Sequence, residues 1–401
     1  MPERIEVAVV GAGPFGLSVA AHLASRRVRT FGAQMETWRT RMPHDMLLRS
    51  AWEETSLSAP GDAGSIDRWA ESVGERREPI PLELFLRYSD WFADRFVPDR
   101  DPSDVALVER GGGGYRVTTA AGSEVDAGAV VVAVGVMPFA YVPPPLAALL
   151  GGAVGFATGV PEDLARLAGR RVIVVGGGQA GLETSGLAAQ AGATVELVTR
   201  GQLHWFADRE PHNPRGPLGR RLYRLAYPAV GYGPPPLNRL VLHPDLFARL
   251  PTRGRIALTR RLLRPGGSPW LRTLVEASVT ISEHCTVDHV EHGDGALRVR
   301  LTNGAEREVD DVLIACGYRF DLDRLAFLDD EVRRSIAVQD GWAVLDRAFR
   351  STAPGLFFVG YAAERRFGPI SRFVLGARFT ATRVASALTG PTTPPSRAPR
   401  R

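Results

Sequence analysis

The chain is poor in cysteine, since Cys285 and Cys316 are the only two thiols among 401 residues. Two thiols so far apart in the sequence cannot build the disulfide framework of a small secreted domain. They do not form a C-x-x-C pair either, which excludes the dithiol centre that such pairs provide. We therefore expect a cytoplasmic protein, in which Cys316 is an inert buried thiol near the end of an apolar strand.

Long apolar runs and lysine are also missing. No apolar stretch reaches the ~20 residues that a membrane-spanning helix needs, and the first predicted strand begins too early to leave room for a signal peptide. All 49 basic side chains are arginines, and the formal net charge is a modest +5. Because no basic stripe is interleaved with aromatic residues, the sequence predicts no nucleic-acid partner, and because no apolar run is long enough, it predicts no membrane partner.

One glycine-rich pattern occurs twice. Gly11-Ala-Gly13-Pro-Phe-Gly16 follows an apolar run at 7–10, and Gly176-Gly-Gly178-Gln-Ala-Gly181 follows another at 172–175. Between a strand and a helix, G-x-G-x-x-G is typical of dinucleotide binding, because the glycines permit a tight turn, close approach of a pyrophosphate and close helix packing. The pyrophosphate then lies at the positive N-terminus of the helix. Two copies in the same context predict two bound dinucleotides.

The two halves of the chain repeat one plan, in which a β-α-β unit precedes a hairpin and an apolar strand that ends in glycine. That strand ends at Gly135 in the first half and at Gly317 in the second, after a hairpin with an Asn303-Gly304 turn. The predicted fold class is α/β, with two Rossmann-like dinucleotide-binding domains of three layers (ββα), the second inserted in the first. The predicted boundaries are 1–150 and 318–390 for the first domain, 155–317 for the second with a Pro- and Arg-rich excursion at 201–270, and 391–401 for a disordered tail.

Two further helices are predicted. After Pro81, apolar residues recur at helical spacing, which indicates a core-facing helix rather than a cofactor site; they are Leu82, Phe85, Tyr88, Phe92 and Phe96. The other helix is predicted from about Ile370 to Leu388, after a buried strand at 354–360.

With these motifs in place, the chain resembles the flavoprotein monooxygenases with two dinucleotide-binding domains. This group includes flavin-containing monooxygenases, Baeyer–Villiger enzymes and amino-acid N-hydroxylases. The sequence is most similar to a bacterial branch of FAD/NAD(P)-binding oxidoreductases, through the stretches at 31–38, 42–50 and 367–376. Relatives of this architecture that reduce disulfides need a thiol pair, which this chain lacks. The resemblance covers the chain up to its tail and specifies the cofactors more closely than the substrate.

The resemblance implies that FAD binds the first domain. Gly11, Gly13 and Gly16 would hold its pyrophosphate, and Gly360 would lie against the ribityl phosphate. The other positions that the resemblance assigns to FAD are Pro14, Phe15, Gln34, Trp38, Met46, Leu48, Arg49, Gly135, Ser371 and Arg372. An acidic residue binds the ribose in many such sites, but Phe31-Gly32 occupy its position here, so another group must hold the FAD ribose.

The resemblance also implies that NADPH binds the second domain, at Gly176, Gly178, Gln179, Ala180, Gly181, Thr199 and Arg200. Arg200 stands where an NADH site carries a carboxylate, and an arginine there suits the 2′-phosphate of NADPH. The alternative is a solvated charge at a strand end. Members of the group carry an F-x-G-x-x-x-H stretch before this domain, and Ala157 replaces its histidine, which helps couple NADPH oxidation to oxygenation.

The implied activity is monooxygenation of a small organic or amino-acid-like substrate at nitrogen or carbon, in a biosynthetic pathway. NADPH reduces the flavin, O2 adds to give a C4a-(hydro)peroxyflavin, and one oxygen atom passes to the substrate. Arg49 and Arg372 are the predicted catalytic residues, with Ser371 and Arg372 beside the N-terminus of the 370–388 helix, whose positive end would face the reduced flavin. A structural salt bridge for Arg49 and a surface position for Arg372 are the alternatives.

Two other functions remain open from the sequence. One is an NADPH-dependent flavin reductase or oxidase with another electron acceptor, which the missing histidine favours. The other is a non-catalytic flavin- or nucleotide-binding protein. No metal is predicted, because the polar cluster of the excursion lacks metal-site spacing; it comprises His204, Trp205, Asp208, Arg209 and His212. The substrate and the oligomeric state are not specified.

Overall fold

The computed structural model describes residues 2–147, 150, 154–156, 161–206, 237–293 and 295–390. Its strands are β1 Glu3–Val10, β2 Val28–Phe31, β3 Arg100–Asp101, β4 Val105–Gly111, β5 Gly114–Thr119, β6 Glu124–Val132, β7 Val154–Phe156, β8 Arg171–Val175, β9 Thr194–Val198, β10 Thr280–Ser282, β11 Val287–His292, β12 Leu297–Leu301, β13 Glu306–Val309, β14 Asp311–Ile314, β15 Val338–Gln339, β16 Trp342–Ala343 and β17 Leu356–Phe358. Its α-helices are α1 Pro14–His22, α2 Glu36–Thr40, α3 Ile66–Val73, α4 Leu82–Phe96, α5 Pro144–Ala147, α6 Gln179–Gln190, α7 Leu237–Val241, α8 Pro244–Phe247, α9 Thr252–Leu262, α10 Pro269–Ser278, α11 Asp330–Arg334, α12 Glu364–Phe367 and α13 Gly376–Thr389.

The first lobe is built on β1 and β6, which are parallel neighbours from Glu3 opposite Val125 to Val10 opposite Val132. Strands β2 and β3 continue the parallel sheet beyond β1. On its other edge, β6 pairs with antiparallel β5 along its first half and with parallel β17 along its second half. Helix α1 packs against α13. The C-terminal segment therefore completes the lobe that the N-terminus begins.

The second lobe contains a parallel sheet in the order β10-β9-β8-β14-β7. Alternate residues of β8 point to opposite faces, as expected for a strand. Ile173 and Val175 join the apolar cluster under the antiparallel β11-β12-β13 sheet. Val172 and Val174 join the cluster under α6 and α10. The predicted α/β class with parallel sheets is confirmed, and the second lobe has the predicted ββα layers.

The two connections between the lobes are paired with each other. Ala140 and Tyr318 form an antiparallel bridge, and the Tyr141 amide donates to the Gly317 carbonyl at 2.8 Å. The rings of Phe139 and Phe320 lie 4.5 Å apart, and both side chains are buried. This pairing restrains the lobes at the point where the chain crosses between them.

The described part of the excursion packs onto the first lobe. Val241 and Leu262 form one apolar cluster with Ile370, and the Phe247 ring lies against Gly368. The excursion is also fastened at its base, because the Gly267 amide donates to the His204 carbonyl at 2.9 Å. It therefore bridges the two lobes.

Several predicted elements are confirmed. Helix α4 begins directly after Pro81 and buries Leu82, Phe85, Tyr88 and Phe92, and the Asn303-Gly304 turn joins β12 to β13. Ala157, Asp208, Arg209, His212 and the predicted tail lie outside the described residues. No helix in the described ranges is both long and apolar enough to cross a bilayer.

The helix predicted from Ile370 is wrong at its start. Pro369–Arg372 is a short 3₁₀ turn, Phe373 is extended, and α13 begins only at Gly376. The chain folds back so closely here that a Cβ added to Gly376 would lie 2.3 Å from the Ile370 carbonyl oxygen. The predicted segment therefore consists of a short 3₁₀ turn and a separate helix.

Candidate active site at two glycine turns

The two glycine turns have the same backbone geometry. In each turn the first glycine donates its amide to the last residue of the next strand, from Gly11 to Phe31 at 2.8 Å and from Gly176 to Val198 at 2.9 Å. Both glycines have a positive φ, 109° for Gly11 and 126° for Gly176. This backbone conformation is readily available only to glycine.

In the first turn, the glycines at the two ends are enclosed by backbone. A Cβ added to Gly11 would lie 2.4 Å from the Ala133 carbonyl oxygen, and one added to Gly16 would lie 1.9 Å from the Gly11 carbonyl oxygen. A Cβ on Gly13, by contrast, would meet nothing within 4 Å. The middle glycine therefore faces open space, where a ligand can approach the backbone.

The second turn repeats these distances. A Cβ added to Gly176 would lie 2.4 Å from the Ala315 carbonyl oxygen, and one added to Gly181 would lie 1.9 Å from the Gly176 carbonyl oxygen. A Cβ on Gly178 would meet nothing within 4 Å. Ala180 is half-buried in the first turn of α6.

Both open glycines are N-caps, and no side chain caps either helix. Gly13 precedes Pro14 at the start of α1, and Gly178 precedes Gln179 at the start of α6. The amide groups of the first helical turn have no intrahelical acceptor, and they add to the positive end of the helix dipole. The open space and the uncapped helix ends fit the pyrophosphate of a dinucleotide at each turn.

Phe15 connects the first turn to the C-terminal segment. A Cβ on Gly360 and one on Gly376 would each lie 3.3 Å from atoms of the Phe15 ring. Helix α13 begins at Gly376, so its N-terminus and that of α1 converge at this ring. Two helix N-termini provide more positive potential for an anion than one. Gly135, just beyond β6, has a positive φ of 67° and an open Cβ position.

Four residues assigned to FAD have contacts within the protein. Gln34 donates to the Asp90 carboxylate at 2.7 Å, and the Trp38 ring stands edge-on to Phe85 at 5.0 Å. Met46 and Leu48 lie beside the start of α4, because the Leu48 amide donates to the Ile80 carbonyl and the Leu82 amide donates to the Met46 carbonyl. These contacts hold the loop against α4, and any role toward FAD remains a prediction.

Asp104 is a candidate ligand that the sequence did not indicate. A Cβ on Gly32 would lie 4.0 Å from Asp104 Oδ1 and 3.8 Å from the Gly11 Cα. The parallel pairing of β3 with β2, with Phe31 opposite Asp101, brings this segment to the end of β2. The exposed Asp104 carboxylate therefore lies where the acidic residue for the FAD ribose is missing from β2.

The second turn is fastened to the excursion. Gln179 Oε1 accepts from the Ser268 amide at 2.9 Å and from its hydroxyl at 3.0 Å. Thr199 lies beside the turn, since a Cβ on Gly177 would be 2.8 Å from Thr199 Oγ1. Arg200 follows at the end of β9 and is exposed. Thr199 and Arg200 thus offer a hydroxyl and a guanidinium at the edge of this crevice.

The two predicted catalytic arginines contact other parts of the protein. The Arg49 guanidinium lies 4.7 Å from the Phe206 ring centroid and 6.0 Å from that of Phe373, so it connects the first lobe to the excursion. Arg372 forms an ion pair with buried Glu364 and covers the Tyr361 ring at 4.6 Å. Burial raises the pKa of Glu364, and the Arg372 guanidinium opposes that shift. Ser371 is buried in the 3₁₀ turn.

Neither thiol has the environment of a reactive cysteine. Burial raises the pKa of Cys285 and of Cys316 above the usual thiol value, so both remain protonated at neutral pH. Both are free thiols. In the part of the chain that the structure describes, no group of His, Cys, Asp and Glu residues has the arrangement of a metal site.

A cavity of about 460 Å³ lies where the carboxyl ends of strands from both sheets meet. Tyr318 and Tyr361, which directly follow Gly317 and Gly360, are part of its wall together with Phe320 and Trp342. Burial raises the pKa of Tyr361 to about 12, so its hydroxyl is protonated and donates to the Tyr318 carbonyl at 3.0 Å. None of these aromatic residues was assigned to a site from the sequence.

Comparison with known proteins agrees with this geometry. Residues 8–214 match the family model described as pyridine nucleotide-disulphide oxidoreductase. Indole-3-pyruvate monooxygenase YUCCA1 of Oryza sativa subsp. japonica is 27% identical over 339 residues, which cover 78% of this chain and 76% of that protein.

Solved structures share the fold along nearly the whole chain. Ornithine N-hydroxylase KtzI of Kutzneria sp. 744, solved with reduced FAD, NADP+ and L-ornithine, has a TM-score of 0.73 at 16% identity and covers 96% of this chain and 99% of its own. Ornithine hydroxylase PvdA of Pseudomonas aeruginosa has a TM-score of 0.74 at 17% identity and covers 96% and 98% of the two chains. The comparisons confirm the predicted fold class and the resemblance to two-domain flavoprotein monooxygenases.

The open and enclosed glycines predict opposite effects of one methyl group. Gly13→Ala should change the free energy of unfolding by about 1 kcal/mol or less and weaken FAD binding at least about tenfold, because the methyl group would occupy the pyrophosphate position. Gly16→Ala should cost several kcal/mol of stability, about 3 or more, because the Gly11 carbonyl blocks the methyl group. Urea unfolding and FAD fluorescence titration measure both. Gly178→Ala is the control, and it should leave FAD binding unchanged. Equal FAD affinity of Gly13→Ala and the parent protein would contradict the site.

Glu183 predicts a pH dependence of stability. It lies on α6, and burial raises its pKa to about 7. The unfolded chain releases this proton at lower pH than the folded protein, so the free energy of unfolding should fall as the pH rises toward 7. Glu183→Gln should therefore stabilise the protein by roughly 3 kcal/mol near pH 8 and by less than about 1 kcal/mol near pH 5. Exposed Glu71→Gln is the control in urea unfolding at both pH values. An equal effect of Glu183→Gln at both values would refute the assignment.

Proposed function

The chain belongs to the pyridine nucleotide-disulphide oxidoreductase family, and on that premise we propose that it is an FAD-dependent, NADPH-using monooxygenase. It would use O2 to hydroxylate a small organic substrate at nitrogen or carbon, as a step of a biosynthetic pathway. The observation that carries the proposal is the pair of equivalent open glycines, Gly13 and Gly178, each at the N-terminus of an uncapped helix. The protonated, unpaired thiols argue against disulfide reduction.

We assign FAD to the first turn and NADPH to the second. The first turn is enclosed by the N-terminal and C-terminal segments, since Phe15 contacts the positions of Gly360 and Gly376, and this suits a cofactor that stays bound. The second turn ends at Thr199 and the exposed Arg200, and a guanidinium with an adjacent hydroxyl suits a 2′-phosphate.

When bound, the flavin accepts hydride from NADPH and activates O2, and it supplies one oxygen atom to the substrate. The residues of the chain orient and enclose these groups. The converging N-termini of α1 and α13 stabilise negative charge beside Phe15. Glu364 holds Arg372 against Tyr361, which fixes the 3₁₀ turn next to Gly360. Arg49, which lies over the Phe206 ring and near Phe373, connects the excursion to the first lobe and would thereby limit the access of water.

The activity is tested by following NADPH and oxygen together. The purified protein is incubated with FAD, NADPH, ¹⁸O2 and a panel of amines, ketones and organic acids. At least one compound should stimulate NADPH oxidation and yield a product that carries one labelled oxygen atom. Hydrogen peroxide equal to the NADPH consumed with every compound would contradict the proposal and favour an oxidase, the alternative suggested by Ala157.

Arg200 should set the preference for NADPH over NADH. Arg200→Ser should lower the ratio of the kcat/KM values for NADPH and NADH by about ten- to a hundredfold, because a charge-assisted hydrogen bond to the 2′-phosphate is worth about 1.5–3 kcal/mol. Arg298→Ser, which removes an exposed arginine of the same lobe, is the control and should leave the ratio unchanged. A ratio that Arg200→Ser does not alter would refute this role.

A further inference from the structure

We propose that the 460 Å³ cavity between α9 and the strand ends of both lobes binds the organic substrate, and that this substrate is an aromatic carboxylate. The inference rests on the proposed monooxygenase function and deepens it, because it names the substrate class. Four features of the described residues support it: the position of the cavity, its unbalanced charge, the fixed arginine in its wall and its aromatic surface.

The cavity lies next to both dinucleotide crevices. Ala315 is three residues before Tyr318 of the cavity wall. Its carbonyl oxygen lies at the second crevice, 2.4 Å from the position that a Cβ on Gly176 would take. Gly360, one residue before Tyr361, lies against Phe15 of the first crevice. A molecule in the cavity is therefore close to the place where the two cofactors would meet.

Among the residues that the structure describes, the cavity wall keeps a positive charge after its ion pairs are counted. The two acidic residues of the wall are already paired, Asp340 with Arg365 at 2.6 Å and Glu364 with Arg372. The wall contains three more arginines, namely Arg255, Arg260 and Arg319. Arg319 stacks on the Tyr141 ring at 3.4 Å and forms no ion pair with a carboxylate in the described part of the chain. Such a wall attracts an anion and repels the protonated amines that a neutral or acidic wall would accept.

Arg255 is a cation held in a fixed position by neutral groups. Its guanidinium donates to the carbonyls of Ala248 and Leu250 and to the Thr252 hydroxyl, at 3.0–3.1 Å. Its Nε is buried without an acceptor. Burial lowers the pKa of Arg255, and the nearby Arg366 and Arg365 lower it further. A carboxylate beside Arg255 would balance this charge at little cost in side-chain entropy.

The aromatic part of the wall suits a flat ring. The rings of Phe320 and Trp342 are stacked at 4.6 Å, and Tyr361 stands edge-on to Trp342 at 5.6 Å. Aromatic ligands gain from offset-stacked and edge-to-face contacts with such side chains. A carboxylate on the arginine side and a ring on the aromatic side together use both surfaces.

The test measures binding to the FAD-loaded protein by isothermal titration calorimetry. The probes are 2-naphthylacetate, its neutral isostere 2-naphthylacetamide, and acetate, which lacks the ring. We expect 2-naphthylacetate to bind at least about tenfold more tightly than either of the other two, because each lacks one of the two contacts. Equal affinity for the acid and the amide would overturn the proposal.

Variants of α9 identify the arginines that interact with the carboxylate of the probe. Arg260 is exposed and should tolerate substitution, so Arg260→Gln should weaken 2-naphthylacetate about threefold, and Arg255→Gln should weaken it about tenfold or more. Neither variant should alter the affinity for the amide. The matched control is Arg261→Gln, which removes the same charge from the same helix outside the cavity wall. If Arg261→Gln weakened 2-naphthylacetate binding as much as Arg260→Gln does, the effect would come from net charge alone, and the proposed site would be wrong.

The outcomes separate this inference from the proposed function. If NADPH reduces the flavin and a labelled product forms, but the acid binds no better than the amide, the substrate class is wrong and the monooxygenase stands. If the acid binds with the expected selectivity but no compound yields a labelled product, the anion site stands and the monooxygenase is wrong.

Discussion

The structure depends on a close approach of backbone to backbone that only glycine permits. In both lobes, the third glycine of the turn, Gly16 or Gly181, leaves no room for a Cβ between it and the carbonyl of the first glycine. This contact holds each helix close to the preceding strand. The N-terminus of the helix then lies at the open middle glycine, Gly13 or Gly178. The helix dipoles and the free amides are thereby directed at one place in each lobe, which is the requirement for holding a pyrophosphate.

The parts of the chain that join the lobes lie between the two crevices and beside a common cavity. The paired linkers at Ala140 and Tyr318 and the excursion packed on Ile370 hold the strand ends of both sheets around a common cavity. The net charge of the described residues in this region is positive, because the helix N-termini, Arg200 and the arginines of α9 outnumber the carboxylates, and the two carboxylates of the cavity wall, Asp340 and Glu364, are already paired with arginines. The same electrostatic preference would serve the two proposed pyrophosphate sites, the proposed 2′-phosphate site and the proposed carboxylate substrate.

Features encoded locally were predictable from the sequence. The glycine turns, the Asn303-Gly304 hairpin and the apolar spacing of α4 each follow from a few neighbouring residues. Features that depend on distant parts of the chain were not. Asp104 reaches the end of β2 through strand pairing, and the Pro369–Arg372 turn results from packing of Gly376 on the Ile370 carbonyl. The cavity was missed because its aromatic and basic walls come from segments that are separated in the sequence.

The central claim is that one chain holds a tightly bound flavin and a transient reductant close enough to exchange electrons. It is tested most directly by the visible absorption spectrum of the purified, FAD-supplemented protein under anaerobic conditions, before and after one equivalent of NADPH. The account predicts the bands of bound oxidised flavin at first, and their bleaching after NADPH is added. Folded protein that retains no FAD, or flavin that stays oxidised in the presence of NADPH, would contradict it.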